Sequence, residues 1–585
     1  MRSLFPSLAF ILFTVTSFSQ TAGRRVYTQT PESAEVIHQF SLLDSASNDG
    51  KLFKIGTADG GEPLYMYVLL KGGCSNLFVA QQKAQKMPVL FINNAIHPGE
   101  PDGVDASLEL VRTLQQPGML PDNLLIAIVP VFNVDGSLNR SATSRANQNG
   151  PDEYGFRGNS LNLDLNRDFI KTDALVTQAL QRAFQLLKPD VFVDTHVSNG
   201  ADYQHTMTLI ATQKDKLHPL PAKLMNDTLV PMLYQSMQQK GWPMCPYVDT
   251  RGATPESGIT GFLETPRFST GYAALFNCIG FVTETHMWKP YNDRVWATYD
   301  ILISFVELMK LHGKSIKRAH KAADEQVRTQ QNFALSWELD TTKFEQVQFL
   351  GYEAKYKTSN ITGQQRLYYD RNAPYTKALP YYNTYNAVTQ AQKPYAYVVP
   401  QQYKEVIARL NLNGVQMQTI MRDTVLSVET YYIASYQTTK TPYESHYLHY
   451  NTKLRREMQF IQLRAGDLLV VADQTCNRYI VETLEPEGGD SFFAWNFFDG
   501  ILQQKEWFSD YIFEEKAEEL LATDPQLKAE FEAERARDAK FAADHWAQLN
   551  FIYQRSVYKE KTHNRYPVVR ILQPVQLQAK PYSAQ

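Results

Sequence analysis

The chain has 585 residues, of which 43% are hydrophobic and 20% charged, and its net charge is −3. This composition excludes a disordered chain, and the length predicts two or more folded units rather than one small core. The near-neutral charge removes any electrostatic reason to expect nucleic acid or an anionic membrane surface as a partner.

At the N-terminus, Arg2 precedes an apolar run from Leu4 to Val15, followed by small residues at Ser17 and Ser19. This is the layout of a secretory signal over residues 1–19, with cleavage expected before Gln20. The run is shorter than the ~20 apolar residues of a membrane-spanning helix. No later run reaches that length, so no integral membrane segment is expected after cleavage, and the expected location is secreted or periplasmic. Four cysteines, Cys74, Cys245, Cys278 and Cys476, lie in the exported part. None forms a C-x-x-C pair, so a thiolate metal cluster is not indicated; disulfides and buried free thiols both stay open.

From there the first half alternates. Pro88–Ile96 reads as a buried strand, and Val104, Leu108 and Val111 recur at helical spacing. Leu124–Phe132 is a second buried strand, and Val176, Leu180, Ala183 and Leu187 mark a second helix. Val191–Thr195 and Ile279–Thr283 are short β-rich runs, and Arg294–His312 is an amphipathic helix. Alternation of this kind predicts an α/β domain with a mixed, mostly parallel sheet flanked by helices. Ligands bind such sheets beyond the carboxyl ends of the strands, where His97, His196 and Glu284 fall. Beyond about Lys317 the texture changes. Lys314–Arg328 reads as a linker or frayed helix, and a Tyr-rich, β-prone region follows. Leu468–Ala472 and Tyr479–Thr483 read as strands, and Asp524-Pro525 opens a charged helix. The expected divisions are 1–19 signal, 20–320 α/β domain, and 321–585 an accessory region, β-rich and then helical.

The chemistry begins at His97-Pro98-Gly99-Glu100, an imidazole and a carboxylate at the end of a strand. Hydrolysis assisted by a zinc ion needs three protein ligands, an open position for water and a general base. His196, at the end of another strand, is the candidate third ligand. Asn166-Arg167 places an amide beside a guanidinium, a pair able to clamp a carboxylate such as the free C-terminus of a peptide. Glu284 ends an otherwise apolar strand, where a carboxylate is costly unless paired or functional; beside a metal it is the candidate base. His286, two residues on, lines the site or plays a structural part.

Taken in order, His97-x-x-Glu100, Asn133-Val134-Asp135-Gly136, Asp164-Leu165-Asn166-Arg167, His196 and Glu284 resemble the zinc carboxypeptidases of the carboxypeptidase A type. The resemblance runs from about Arg24 to His320. It implies that His97, Glu100 and His196 hold one zinc ion, and that Glu284 activates the water and then protonates the leaving amine. It implies that Asn166 and Arg167 grip the terminal carboxylate of a peptide substrate, and that Asp164 orients His97. An arginine polarising the scissile carbonyl is also implied; Arg145 is the first choice, with Arg157 the rival because the segment 151–161 blurs the register. The family's mobile tyrosine over the substrate has a candidate in Tyr272, while Glu264 or Arg267 could choose the side chain. The C-terminal half carries no motif with assignable chemistry, and a restricting or docking module is the plainest expectation. H-E-x-x-H and G-x-S-x-G signatures are missing. Two other readings keep the same fold: an amidase acting on peptidoglycan stem peptides, and a non-catalytic binding protein.

Overall fold

The computed structural model describes residues 24–583, so the expected signal over 1–19 lies outside the described residues. The four central strands begin as near-continuous apolar runs, which makes them suited to burial on both faces. Leu90 and Ile92 enter one hydrophobic core while Val89 and Phe91 enter the other. Ile126 and Ile128 divide from Leu125, Ala127 and Val129 in the same way. These strands belong to an eight-stranded sheet, ordered Gly50–Thr57, Pro63–Leu69, Leu125–Val129, Val89–Asn93, Val191–Ser198, Ile279–His286, Met207–Ala211, Cys245–Pro246. The central pairs are parallel and the flanking ones mostly antiparallel, the mixed sheet expected from the alternation.

Helices cover both faces. Asp102–Leu114 turns Val104, Leu108 and Val111 into one core; Leu175–Leu187 turns Val176, Leu180, Ala183 and Leu187 into the other. The helix expected over Arg294–His312 runs much further, from Tyr291 to Thr329. Lys314–Arg328 is therefore not a linker. Ile316, His320, Ala323 and Val327 form a buried stripe at helical spacing, hidden among charged residues that face solvent.

The second half is β-rich, as expected, and then helical. It holds a seven-stranded antiparallel sheet and a long hairpin, Glu345–Thr358 with Gln365–Tyr382. Asp524 caps the helix Pro525–Arg537, accepting from the Gln526 and Leu527 amides. After the helices, Val569–Ile571 and Ala579–Pro581 return to the sheet. One expected strand is corrected: Tyr479–Thr483 lies inside the helix Asn477–Leu484, every residue of which is buried. A short apolar run buried all round has no periodicity to separate the two states.

The halves interlock. Ile170 and Leu275 share a hydrophobic core with Tyr397, Leu410 and Trp495, and Ile259–Thr260 pairs with Tyr381–Tyr382. All four cysteines are free and buried.

A buried ion pair fixes the start of the helix Asp102–Leu114. Arg294 meets Asp102 through Nε at 3.0 Å and Nη2 at 3.3 Å, and also donates to the carbonyls of Asn149, Gly150 and Met287. Arg294→Met would leave Asp102 buried and unpaired, with an expected loss of ~3–5 kcal/mol. Chemical denaturation of the variant checks this; an unchanged midpoint would show that Asp102 is accommodated without its partner.

Candidate active site

Three strand ends build the site. His97 follows the strand Val89–Asn93 in a tight turn whose Glu100 amide donates to the His97 carbonyl at 2.8 Å. His196 and Glu284 stand directly opposite each other on neighbouring parallel strands, so both side chains leave the sheet on the same side. At Gly99 a Cβ would lie 2.7 Å from Arg145 Cδ and 3.2 Å from the Gly155 carbonyl, so the arginine can cross the turn only where no side chain stands.

The Glu100 carboxylate is the hub. Its Oε1 accepts from Arg145 Nη1 at 2.6 Å and lies 3.2 Å from His97 Nδ1. Its Oε2 accepts from the Val197 amide at 2.9 Å and lies 3.0 Å from His196 Nδ1. On the far side of His97, Nε2 bonds Asp164 Oδ1 at 3.0 Å. If Nε2 carries the proton, Nδ1 offers a lone pair toward Glu100, and this buried atom has no hydrogen-bond partner. Two lone-pair atoms facing each other in the interior call for a cation between them. Ligands at ~2.1 Å around a tetrahedral zinc stand ~3.4 Å apart, close to these separations. His97, Glu100 and His196 thus fit a metal, their ligand atoms all lying within 4.8 Å of one another.

Second neighbours fix the rings. Asp194 Oδ2 lies 3.1 Å from His196 Nε2, and Asp194 itself accepts from Asn93 Nδ2 at 3.0 Å and from Ser269 Oγ. Asp164 accepts from Arg157 Nε at 3.0 Å and from the Asn166 amide at 2.9 Å. Burial opposes ionisation of Asp164, yet His97, Arg157 and Arg167 hold its carboxyl far below the usual range.

His97, Glu100, His196, Arg145 and Arg157 line one cleft of about 550 Å³. Glu284 lies beside the ligands, and its carboxyl is pushed up to about 8 chiefly by burial; the Glu100 charge adds to the rise while His196, Arg145 and Arg157 oppose it. Asn166 and Arg167 stand on the cleft wall. Asn166 Oδ1 accepts from the Ser269 amide at 3.0 Å, which leaves its NH2 to face a ligand; the Arg167 guanidinium stacks 4.4 Å over Phe268. Both candidate carbonyl-polarising arginines, Arg145 and Arg157, are present in the cleft.

Other expected residues stand elsewhere. Tyr272 is not over the cleft: it is buried against Phe169, Phe184 and Phe276, and its hydroxyl donates to Asn413 Oδ1 at 2.6 Å. Glu264 is fully buried and paired with Lys216 at 2.9 Å. Arg267 is bound to Asp490 at 2.7 Å. His286 is structural, bonding the Ala201 carbonyl at 2.9 Å. Sequence reasoning missed Tyr247, Phe262, Ile210 and Val282, which line the cleft, and Asp194 behind His196. Asp194 and Val282 carried a usable signal, since strand alternation puts them on the same faces as His196 and Glu284.

Residues 41–199 match the family described as zinc carboxypeptidase. That span contains His97, Glu100, Arg145, Asn166, Arg167 and His196, and ends before Glu284. Over this span the match supports the resemblance expected from the motifs, to zinc-dependent metallocarboxypeptidases. Among solved structures it is similar to a metallo-carboxypeptidase from Burkholderia cenocepacia (15% identity, 48% of this chain and 70% of that one, TM-score 0.35). It is also similar to a metallo-carboxypeptidase from Pseudomonas aeruginosa (13%, 48% and 68%, 0.35) and to carboxypeptidase A from Helicoverpa armigera (13%, 51% and 75%, 0.36). No curated protein matches the chain in sequence.

Asp164→Asn keeps the shape of the His97 contact but removes the charge that holds its proton. Zinc affinity is expected to fall ~10–100-fold, measured by competition with a chromogenic chelator. Unaltered affinity would take Asp164 out of the metal site.

Proposed function

We propose that the protein is a secreted or periplasmic zinc carboxypeptidase that removes single residues from peptides bearing a free C-terminal carboxylate. One zinc ion would be held by His97, Glu100 and His196. The observation that carries this reading is the sharing of one cleft by three elements: the buried His97–Glu100–His196 group, Glu284, and the Asn166–Arg167 pair. The signal-like N-terminus supports export.

When bound, zinc supplies Lewis-acid polarisation and makes a water easier to deprotonate. Glu284 takes the proton of the attacking water and returns it to the leaving amine. Arg145 stabilises the developing oxyanion. It is preferred to Arg157 because its partner, Glu100, is a metal ligand whose charge a cation would take over, whereas Arg157 stays tied to Asp164. Asn166 and Arg167 grip the terminal carboxylate.

The terminal side chain meets Ile210, Val282, Phe262, Phe268 and Tyr247. The charged residues lining the cleft belong to the metal, the base, or the carbonyl and carboxylate clamps, except Arg157, which is tied to Asp164. With Glu264 and Arg267 committed elsewhere, no charge is left to select a basic or acidic residue. An apolar or aromatic C-terminal residue is the class that fits.

Single-residue release from a mixed peptide library, read by mass spectrometry with and without chelator, tests the reading. Apolar and aromatic residues should leave first and chelation should stop release; no release from zinc-loaded protein overturns the reading in favour of another amide substrate. Glu284→Gln should keep zinc and lose turnover ~10²–10⁴-fold. Glu284 works only when ionised, and a bound cation lowers its carboxyl from about 8 toward the ordinary value of 4.5. The acid limb of kcat/KM is therefore expected between those values, with activity lost as pH falls through it. Arg167→Ala should weaken acids and spare C-terminally amidated peptides; equal losses on both would rule out the clamp.

A further inference from the structure

The carboxylate-gripping side of the cleft is braced from the C-terminal half. The strands Thr424–Thr438 and His449–Leu463 form a long hairpin whose loop carries Tyr443, Glu444, Ser445 and His446. Tyr443 and His446 bond each other's backbone at 2.7 and 3.0 Å, closing a turn with Glu444 and Ser445 at φ of 50° and 66°. The left-handed tip turns Glu444 toward the other half, where its Oε2 accepts from the Asp164 amide at 2.8 Å. Two residues later, His446 Nε2 bonds Asp173 Oδ2 at 2.9 Å.

The segment so held is short and irregular. Leu165–Arg167 is a single 3₁₀ turn whose Asn166 departs from helical geometry at ψ of 18°, so it has little rigidity of its own. Asp164 opens that turn and bonds His97, while Asn166 and Arg167 close it. A second brace lies across the cleft wall: Asp490 accepts from the Arg267 amide and Nε at 3.0 and 2.7 Å, and the Arg267 guanidinium lies 5.0 Å over Trp495. Arg267 precedes Phe268 and Ser269, the residues that stack on Arg167 and bond Asn166.

We infer that Glu444 is a positioning residue for substrate binding, because its carboxylate is the contact by which the C-terminal half holds the Asp164–Arg167 turn in register with the cleft. The inference rests on the reading of Asn166 and Arg167 as the carboxylate clamp. Glu444 lines no part of the cleft; it acts through the Asp164 amide.

The test uses the full-length, zinc-loaded chain. Glu444→Ala removes the acceptor, whereas Glu444→Gln keeps an amide oxygen in its place. For a free-acid peptide, Glu444→Ala should raise KM about tenfold with kcat changed less than about threefold, and Glu444→Gln should stay within about twofold of wild type. Hydrogen exchange read by mass spectrometry should quicken in peptides covering 159–173 for the alanine variant alone. Should that variant fail to fold, Glu444→Asp, which withdraws the carboxylate by one methylene, carries the same expectation. Unchanged KM in a chain that cleaves normally overturns the inference alone, as does faster exchange with KM unmoved. A wild-type chain that releases no residue from any peptide overturns the carboxypeptidase reading and this inference with it.

Discussion

The Glu100 carboxylate, 3% exposed, is the charge around which the cleft is organised. Burying an ionised carboxylate costs several kcal/mol unless partners replace its water. Here Arg145 and an imidazole serve one oxygen, and the Val197 amide and a second imidazole serve the other. The two imidazoles are not equivalent donors. With the His97 proton on Nε2, toward Asp164, His97 Nδ1 adds an unpaired lone pair to the site rather than a proton. That tautomer over-supplies the centre with electron pairs, an imbalance that fits a metal ion better than an ordinary buried ion-pair network.

Holding that centre requires distant parts of the chain to agree. Glu100 lies two residues before Asp102, which pairs with Arg294 of the long helix and accepts from Thr285, the neighbour of Glu284. One buried carboxylate thus joins the turn of His97 and Glu100 to the strand of Glu284. His196 is set by the same sheet, since its strand runs parallel to both the strand before His97 and the strand of Glu284. The central parallel strands do more than form a core; they fix the separations on which the chemistry depends.

The metal side was legible in the sequence because it is built from strand ends. Continuous apolar runs such as Val89–Ile92 and Val191–Val193 announce themselves, and the polar residues that follow each one are visible against them. The apolar wall of the cleft was not. Phe262 and Tyr247 sit in short, irregular segments with no periodicity, and Tyr272 looked available only because nothing in sequence shows that its helix turns it toward Asn413. Glu264 and Arg267 were misleading for a related reason: their partners, Lys216 and Asp490, are 48 and 223 residues away. The buried stripe of Lys314–Arg328 was masked by the charges around it, and Asn477–Leu484 was ambiguous because every face of it is covered.

The difference between the two sides of the cleft bears on what the C-terminal half is for. The side carrying Glu100, His196 and Glu284 is fixed by sheet register and the Asp102–Arg294 pair, and the C-terminal half reaches His97 indirectly, through Glu444 on the Asp164 amide. The side carrying Asn166, Arg167 and Phe268 consists of loops and a single 3₁₀ turn, elements without a ladder of backbone hydrogen bonds to hold them. It is on that side that Glu444, His446, Asp490 and Arg409 make their contacts, Arg409 reaching Asp173 and the Lys171 carbonyl. A module that only restricted access could pack anywhere around the rim. One that binds the irregular wall, through ion pairs and a shared hydrophobic core, lends the Asp164–Arg167 turn a rigidity that the sheet cannot extend to it.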